Sequence, residues 1–302
     1  MKELELEHIE DSMFLVRGED GGRFPHSNSV LVKRDNGEAT VIDTGCGIST
    51  LSVIKRRFNV TCVINSHTHP DHSAGNWLFR DGVKAIYVPE EGFETSGNMA
   101  ALGDRLAEPG WLAEYWRDFV SKVMGFKECK PTRSFSSRTS FRFGEATLLP
   151  IYTPGHTIDH YCFYEPNKKI LLSFDYDLTS FGPWYGHRES SIPAFKASIE
   201  KLERLDIEIM VSGHREIIKN DIKRKLSDFN SKFQERSEKI LDMLTTSGRS
   251  VAELVNEAPI YGRFPYAEPL LRYWEGNMIT KHLNELVSQG RAAKRGERYS
   301  PT

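Results

Sequence analysis

The six residues His67–His72, with the sequence HTHPDH, contain three imidazoles and one carboxylate. Neutral imidazole nitrogen and carboxylate oxygen are the donors that zinc and similar divalent cations bind in proteins. In an extended segment His67 and His69 point to the same side, and the proline of the hexapeptide places Asp71 and His72 at the first turn of a helix. The hexapeptide therefore predicts a metal site, with enough donors to serve two ions that lie close together.

The residues before the hexapeptide, 60–65, are β-branched and apolar, and they predict a buried strand that ends where the donors begin. The hexapeptide has the form H-x-H-x-D-H, and with it the chain resembles the metallo-β-lactamase superfamily of hydrolases over about its first 220 residues. The resemblance implies three further ligands after later strands: a His, a bridging Asp and a last His. The residues that match them are His156, Asp175 and His214.

The resemblance implies two metal sites. The first ion would be held by His67, His69 and His156, the second by Asp71, His72 and His214, with Asp175 between them. Two divalent cations, most simply Zn²⁺ with iron or manganese as alternatives, can share one water and lower its pKa toward ~7. The sequence thus predicts a metal-dependent hydrolase that uses a metal-bound hydroxide, with Asp71 in the catalytic set.

Two details of the ligand set depend on the resemblance. The superfamily usually has Gly before the bridging Asp, whereas this chain has Phe174, and Asp177 two residues after Asp175 is an alternative bridging carboxylate. The stretch Asp43-Thr44-Gly45 resembles a second family motif, in which the Asp orients the ligand imidazoles through their other nitrogen. The alternative for Asp43 is a plain turn after a strand.

The segment 181–188, with the sequence FGPWYGHR, is the predicted source of substrate contacts. It follows the bridging Asp and holds two aromatic residues and a His. Tyr185 and His187 are candidate catalytic residues, as proton donor or oxyanion partner, and the alternative is that the aromatic side chains only fix the loop. We expect His160, inside strand-like sequence, to be structural.

The fold class predicted for residues 1–220 is α/β. An antiparallel meander precedes the hexapeptide, helices and strands alternate after it, and the family resemblance implies an αββα four-layer sandwich. Residues 90–143 do not fit this repeat and are predicted to be an insertion whose helix has an aromatic face, at Trp111, Trp116 and Phe119 among others. The face is expected to pack on the sandwich, with a lid or a dimer contact as alternatives.

Residues 221–302 are predicted to form a separate domain. Three helices, the second opened by a Ser250–Glu253 capping box, precede a two-stranded ribbon, and together they resemble the superfamily branch with a C-terminal winged helix. This segment has 14 Lys and Arg against 11 Asp and Glu. The candidate phosphate contacts are Lys281, Arg291, Lys294, Arg295 and Arg298.

The formal net charge of −2 favours neither a nucleic acid nor an acidic partner, and the four cysteines show no metal-binding spacing. No run of residues has the ~20 apolar positions of a membrane span, and residues 1–5 lack a signal-peptide core, so we expect a cytoplasmic protein without a membrane partner.

Two substrate classes follow from these observations. The favoured one is a small-molecule thioester or ester, hydrolysed by an enzyme similar to glyoxalase II. The alternative is an endoribonuclease or phosphodiesterase that holds nucleic acid with the winged helix. A homodimer is a further prediction.

Overall fold

The computed structural model describes residues 4–144 and 146–302. Residues 1–5 were predicted to lack a signal-peptide core, and Met1–Glu3 of that segment lie outside the described residues. The α-helices are α1 (Ile48–Arg57), α2 (Pro70–Ser73), α3 (Phe93–Ser96), α4 (Met99–Leu106), α5 (Trp111–Val123), α6 (Ile192–Glu203), α7 (Ile222–Asp242), α8 (Val251–Val255) and α9 (Glu268–Ser288).

The strands form three sheets. They are β1 (Leu6–Glu10), β2 (Met13–Val16), β3 (Ser29–Lys33), β4 (Glu38–Ile42), β5 (Asn59–Ile64), β6 (Ala85–Pro89), β7 (Arg133–Phe135), β8 (Phe141–Phe143), β9 (Ala146–Tyr152), β10 (Tyr161–Glu165), β11 (Ile170–Phe174), β12 (Ile209–Ser212), β13 (Arg249–Ser250), β14 (Ala292–Arg295) and β15 (Arg298–Pro301). The spatial orders are β1 to β7 in sequence, β12-β11-β10-β9-β8, and β13-β15-β14.

The first two sheets pack face to face. Side chains that alternate along the strands, such as Leu15, Val30 and Ile64 from one sheet and Leu148, Leu172 from the other, share one buried core. Helix α1 covers the outer face of the first sheet, and α6 and α7 cover that of the second. The predicted αββα layering is confirmed.

The structure corrects the predicted insertion in two respects. Residues at its end, β7 and β8, are strands of the two sheets, so its helical part ends before residue 133. The apolar face of α5 packs on α9 rather than on the sandwich, because Trp116 and Val120 share a core with Leu271 and Trp274. The C-terminal helices thereby contact both the second sheet and the insertion.

The C-terminal segment has the predicted order of three helices and a ribbon. Ser250 and Glu253 form the predicted capping box at the start of α8. A short strand, β13, adds to the ribbon through antiparallel pairing with β15. Its assignment as a winged helix stays a prediction. Among the described residues every helix is too short or too polar to cross a bilayer.

Candidate metal centre

The predicted ligands lie at the ends of four strands that meet at one edge of the sandwich. His67 and the rest of the hexapeptide follow β5, and His156, Asp175 and His214 follow β9, β11 and β12. Apolar β-branched sequence builds the strands, and each donor stands where that sequence stops. His67 and His214 are 147 residues apart and follow strands of different sheets, so the face-to-face packing of the two sheets brings them together.

The donors form two clusters in the described part of the chain. One contains His67, His69, His156 and Asp175, the other Asp71, His72 and His214, and within each cluster the donor atoms lie within 4.8 Å of one another.

Asp175 stands between the two clusters. Its Oδ2 atom is 2.9 Å from His156 Nε2, and its Oδ1 atom is 2.8 Å from His72 Nε2 and 3.4 Å from His214 Nε2. Asp71 Oδ2 is 3.7 Å from His214 Nε2. Each oxygen of Asp175 therefore faces one cluster, which is the geometry of a bridging carboxylate.

Asp177, the alternative bridging carboxylate, does not lie between the two clusters. Its Oδ1 atom accepts hydrogen bonds from the backbone N–H and the hydroxyl of Thr179, and it belongs to neither donor cluster. Burial raises the pKa of Asp177 to about 6. The carboxylate lines the cavity beside the clusters without standing between them.

Hydrogen bonds on the far side of the rings fix their orientation. His72 Nδ1 donates to Asp43 Oδ2 at 2.7 Å, His156 Nδ1 donates to the carbonyl of Trp184 at 2.9 Å, and His214 Nδ1 donates to the carbonyl of Gly22 at 2.8 Å. These three rings therefore turn Nε2 toward the clusters. His69 instead presents Nδ1, which lies 2.9 Å from His156 Nε2.

Asp43 lies where the sequence places it and reaches two rings. Besides its bond to His72, it accepts hydrogen bonds from the backbone N–H and the hydroxyl of Ser66. That hydroxyl is 3.0 Å from His67 Nδ1, so Ser66 relays the support of Asp43 to a second imidazole. Ser66 was not among the predicted site residues, although its position directly before His67 was a usable signal.

The donor set fits divalent cations. His67 Nε2 is buried and has no hydrogen-bond partner among the described residues. Burial and the neighbouring imidazoles hold the pKa of His67 and His69 well below the usual range, so both rings are in the neutral form that binds metal. Converging imidazole and carboxylate lone pairs repel one another unless a proton or a cation lies between them.

His160 is structural, as expected, and is also close to the bridge. The ring is fully buried, with Nδ1 2.9 Å from the Thr153 hydroxyl. Its Nε2 accepts a hydrogen bond from the backbone N–H of Asp175. Burial and the neighbouring His156 lower the pKa of His160 to about 3, which keeps the ring able to accept that bond.

Phe174 explains why glycine is usual before the bridging Asp. Its φ is +49°, in the left-handed region, at a bulge where β11 shifts register against β12. Such a φ costs a bulky side chain about 1–2 kcal/mol. The ring is buried in the core between the sheets, beside Phe163, which offsets the strain.

We expect Phe174→Gly to lower the free energy of unfolding by about 2–3 kcal/mol, because losing a buried Phe costs about 3–5 kcal/mol and the relieved strain returns only part of it. Urea unfolding of both proteins measures the difference. Unchanged or increased stability would show that backbone strain, rather than ring burial, dominates at this position.

A buried ion-pair network supports the hexapeptide from the side. Arg105 on α4 donates to Asp159 Oδ1 at 2.8 Å and to both oxygens of Glu189. Asp159 in turn accepts a hydrogen bond from the Thr68 hydroxyl, inside the hexapeptide. Burial alone would raise the pKa of Asp159, but Arg105 outweighs it and holds that pKa below its ordinary value. No local pattern marks this network, because Arg105, Asp159 and Glu189 lie on three separate segments of the chain.

A cavity of about 760 Å³ opens onto both clusters. His69, Asp71, His156, Asp175 and His214 form its floor, and Trp184 and His187 from the predicted substrate loop belong to its wall. The His187 ring is buried, 4.7 Å from the ring of His69 between centroids, and its Nδ1 has no hydrogen-bond partner among the described residues.

Tyr185 is corrected as a site residue. Its side chain is fully buried on the opposite side of the loop, where the hydroxyl lies 2.6 Å from His282 Nε2 and accepts a hydrogen bond from Arg236. Tyr185 is absent from the wall of the cavity that opens onto the clusters. It fixes the loop, which was the stated alternative.

The C-terminal helices hold this loop by its backbone. Arg236 on α7 donates to the carbonyls of Phe181 and Pro183, and on α9 Asn277 donates to the carbonyl of Gly186 and Lys281 to that of His187. The loop in turn supplies the Trp184 carbonyl that orients His156. The C-terminal segment is therefore part of the support of the metal centre.

Replacing Arg236 with Met should weaken metal binding about tenfold, because Arg236 holds the loop whose Trp184 carbonyl orients His156, and loss of such an outer partner of a ligand typically costs 10–100-fold in affinity. Competition with a chromogenic chelator measures the change. Arg224→Met, on the exposed side of the same helix, is the control and should bind metal like the wild type. Equal affinities for both variants would show that α7 does not position the ligands.

Three of the five predicted phosphate contacts are engaged within the chain. Lys281 donates to the carbonyl of His187, and Arg291 pairs with Glu238 at 2.5 Å. Arg298 donates to the carbonyl of Gly248 and to Glu253. The C-terminal surface consequently offers less free positive charge than its sequence indicates.

Comparison with known proteins places this site in context. The family described as "Metallo-beta-lactamase superfamily" matches residues 22–214. The acyl-coenzyme A thioesterase MBLAC2 of Bos taurus is 26% identical over 62% of this chain and 72% of its own length. A hydroxyacylglutathione hydrolase of Bartonella henselae is 33% identical over 57% of this chain and 67% of its own. The crystal structure of a beta-lactamase domain protein from Burkholderia ambifaria shares the fold, with a TM-score of 0.74 and 18% identity over 99% of this chain and 94% of that one.

Proposed function

The chain belongs to the metallo-β-lactamase superfamily and is a metal-dependent hydrolase, and from that premise we propose that it hydrolyses a small-molecule thioester or ester at a dinuclear zinc centre. The observation that carries the proposal is Asp175, whose two oxygens face two separate clusters of donors at the floor of one cavity. Two of the relatives named above are thioesterases or act on a glutathione thioester, by their names, which supports the thioester over other acyl derivatives.

The residues that would hold the ions are those of the two clusters, joined by Asp175. When bound, a pair of zinc ions supplies Lewis acidity, which activates water at neutral pH and polarises a carbonyl oxygen. Hydrolysis then breaks the C–S bond of the thioester, forms a C–O bond with oxygen from water, and releases a carboxylic acid and a thiol.

The chain's own residues position these reactants. Asp43, Ser66 and the Trp184 carbonyl fix the tautomer of the ligand imidazoles, so their lone pairs face the cavity floor. His187 belongs to the same wall, with its ring centroid 4.7 Å from that of His69, and is the proposed hydrogen-bond partner of the substrate or of water.

A panel of thioesters incubated with the zinc-loaded protein tests the proposal, with single-stranded RNA in parallel and His69→Ala as the inactive control. Thioester cleavage that the control abolishes supports it. RNA cleavage without thioester cleavage would reject it and make a phosphodiester the substrate. We do not propose nucleic acid as the substrate, because three of the five charged side chains expected to hold it bind other parts of the chain. The cytoplasmic location and the homodimer stay predictions.

A further inference from the structure

The walls of the cavity above the metal centre are lined by residues that are not metal ligands. Most of the apolar lining of the cavity comes from three segments that do not belong to the αββα core: the insertion, the loop that follows the bridging Asp, and the C-terminal segment. They include Trp116 and Phe119 on α5, Trp184 in the loop, and Leu271 and Trp274 on α9, and Phe24 and Pro70, which precede the insertion, add to the lining.

The polar groups of the cavity are unevenly placed. The ligands occupy the floor, and Asp177, Thr179, Ser180, Arg215 and Glu216 lie beside them in the chain segments that carry Asp175 and His214. Arg23, which is exposed, is a further charged residue of the lining. Arg215 is already bonded to Glu216 and to the carbonyl of Leu178. The face made by α5 and α9 is formed by Trp116, Phe119, Val120, Leu271 and Trp274, which carry no charge.

This lining distinguishes the two halves of a thioester. Common biological thiols such as glutathione and coenzyme A are charged and polar, and burying an ionised group in an apolar wall costs several kcal/mol. An apolar acyl chain gains free energy in the same place, because each buried methylene adds about fourfold in affinity. A cavity of about 760 Å³ is within the usual size of pockets for drug-sized ligands.

We propose that this cavity is an acyl site, which takes an extended apolar or aromatic acyl group against the face formed by α5 and α9 while the thiol part stays toward solvent. The inference rests on the proposed thioesterase function and narrows its substrate class. We therefore expect thioesters of small, polar hydroxyacyl groups to be poor substrates, since such a group leaves the apolar walls of the cavity in contact with water.

Two series of substrates test the acyl part and the thiol part of the thioester separately. In the first, thioesters of one thiol, N-acetylcysteamine, carry acetyl, butanoyl, hexanoyl, octanoyl and decanoyl groups. We expect kcat/KM to rise about fourfold for each added methylene until the cavity is filled. In the second, butanoyl is fixed and the thiol is lengthened from N-acetylcysteamine to apolar alkane thiols. A flat acyl series with a steep thiol series would overturn the proposal, and the thioesterase function would still stand.

A matched pair of variants on α5 localises the effect. Phe119 is half-buried and lines the cavity, so Phe119→Ala should lower kcat/KM for the decanoyl substrate about tenfold and leave that for acetyl within about twofold. Trp111→Ala, on the same helix but 66% exposed and outside the cavity, should change neither. Equal losses for both substrates would place Phe119 outside the acyl site.

Binding gives a readout that does not depend on activity. Trp116, Trp184 and Trp274, three of the five tryptophans, line the cavity. Titration of the zinc-loaded protein with decanoate should therefore quench tryptophan fluorescence to saturation, and acetate at the same concentration should not. Absence of saturable quenching would reject the acyl site even if thioesters are cleaved. Saturable quenching without cleavage of any thioester would support the apolar binding site but reject the proposed thioesterase function.

Discussion

Asp175→Asn is expected to lower metal affinity by more than about 100-fold at each cluster, and hydrolytic activity with it, because even an outer partner of a ligand is worth 10–100-fold. The substitution keeps the size of the side chain but removes the charge that faces both clusters, with one oxygen 2.9 Å from His156 Nε2 and the other 2.8 Å from His72 Nε2. An amide also offers only one acceptor oxygen. Metal content after gel filtration, together with thioester hydrolysis at fixed zinc, measures the loss.

The matched control is Asp177→Asn. It neutralises a carboxylate that lies two residues later and lines the same cavity but stands outside both clusters. We expect it to retain two metal ions per chain. If instead Asp177→Asn loses metal and Asp175→Asn keeps it, the bridging role passes to Asp177 and the ligand assignment is wrong.

Arg105→Met is expected to lower the free energy of unfolding by about 3–5 kcal/mol, since removing one partner leaves Asp159 buried and charged. Asp159 is fully buried, and Arg105 is its cationic partner at 2.8 Å. The loss should extend to the hexapeptide through the hydrogen bond from Thr68 to Asp159. Urea denaturation at neutral pH measures it.

The pH dependence has a definite sign. Arg105 holds the folded pKa of Asp159 below its ordinary value, so the pair stabilises the fold above that ordinary pKa, and the stabilisation is lost as the pH falls through the folded pKa. The difference between wild type and variant should accordingly be full at pH 7 and shrink in acid. Arg117→Met is the control. Its partner Asp104 is 4.0 Å away and exposed, so we expect a change below about 1 kcal/mol. Equal losses of unfolding free energy in both variants would show that the buried Arg105–Asp159 pair stabilises the fold no more than an exposed pair does.

The hexapeptide was predictable because it stands directly after an apolar strand, whereas His156, Asp175 and His214 were identified through the resemblance to the superfamily. Strand ends are local features of the sequence, and the carboxyl end of β5, which carries the hexapeptide, follows from the apolar run before His67. The role of the substrate loop was predictable only in part. Trp184 and His187 reach the cavity whereas Tyr185 turns away, because an irregular loop has no fixed period that assigns side chains to one side.

The relation of the outer segments to the centre required the tertiary structure. The α5 stripe could have packed on any apolar surface, and only the placement of α9 made it a wall of the cavity. The sequence predicted that basic residues of the C-terminal segment contact phosphate. In the structure, however, Lys281 and Arg291 bind groups of the chain that are 94 and 53 residues away. Pairing over such separations depends on the folded path of the chain, which no local pattern records.

The hexapeptide donors and the strand before them followed from residue types at short spacing and from an apolar run, whereas the remaining donors, the layered fold and the class of reaction followed from the resemblance to the superfamily. The tertiary structure decided that Asp175 faces both clusters, that Arg105 anchors the hexapeptide through Asp159, and that the C-terminal helices hold the loop beside His156. The physical reason is that hydrogen bonds and ion pairs act over about 3 Å in space, whatever the distance along the chain.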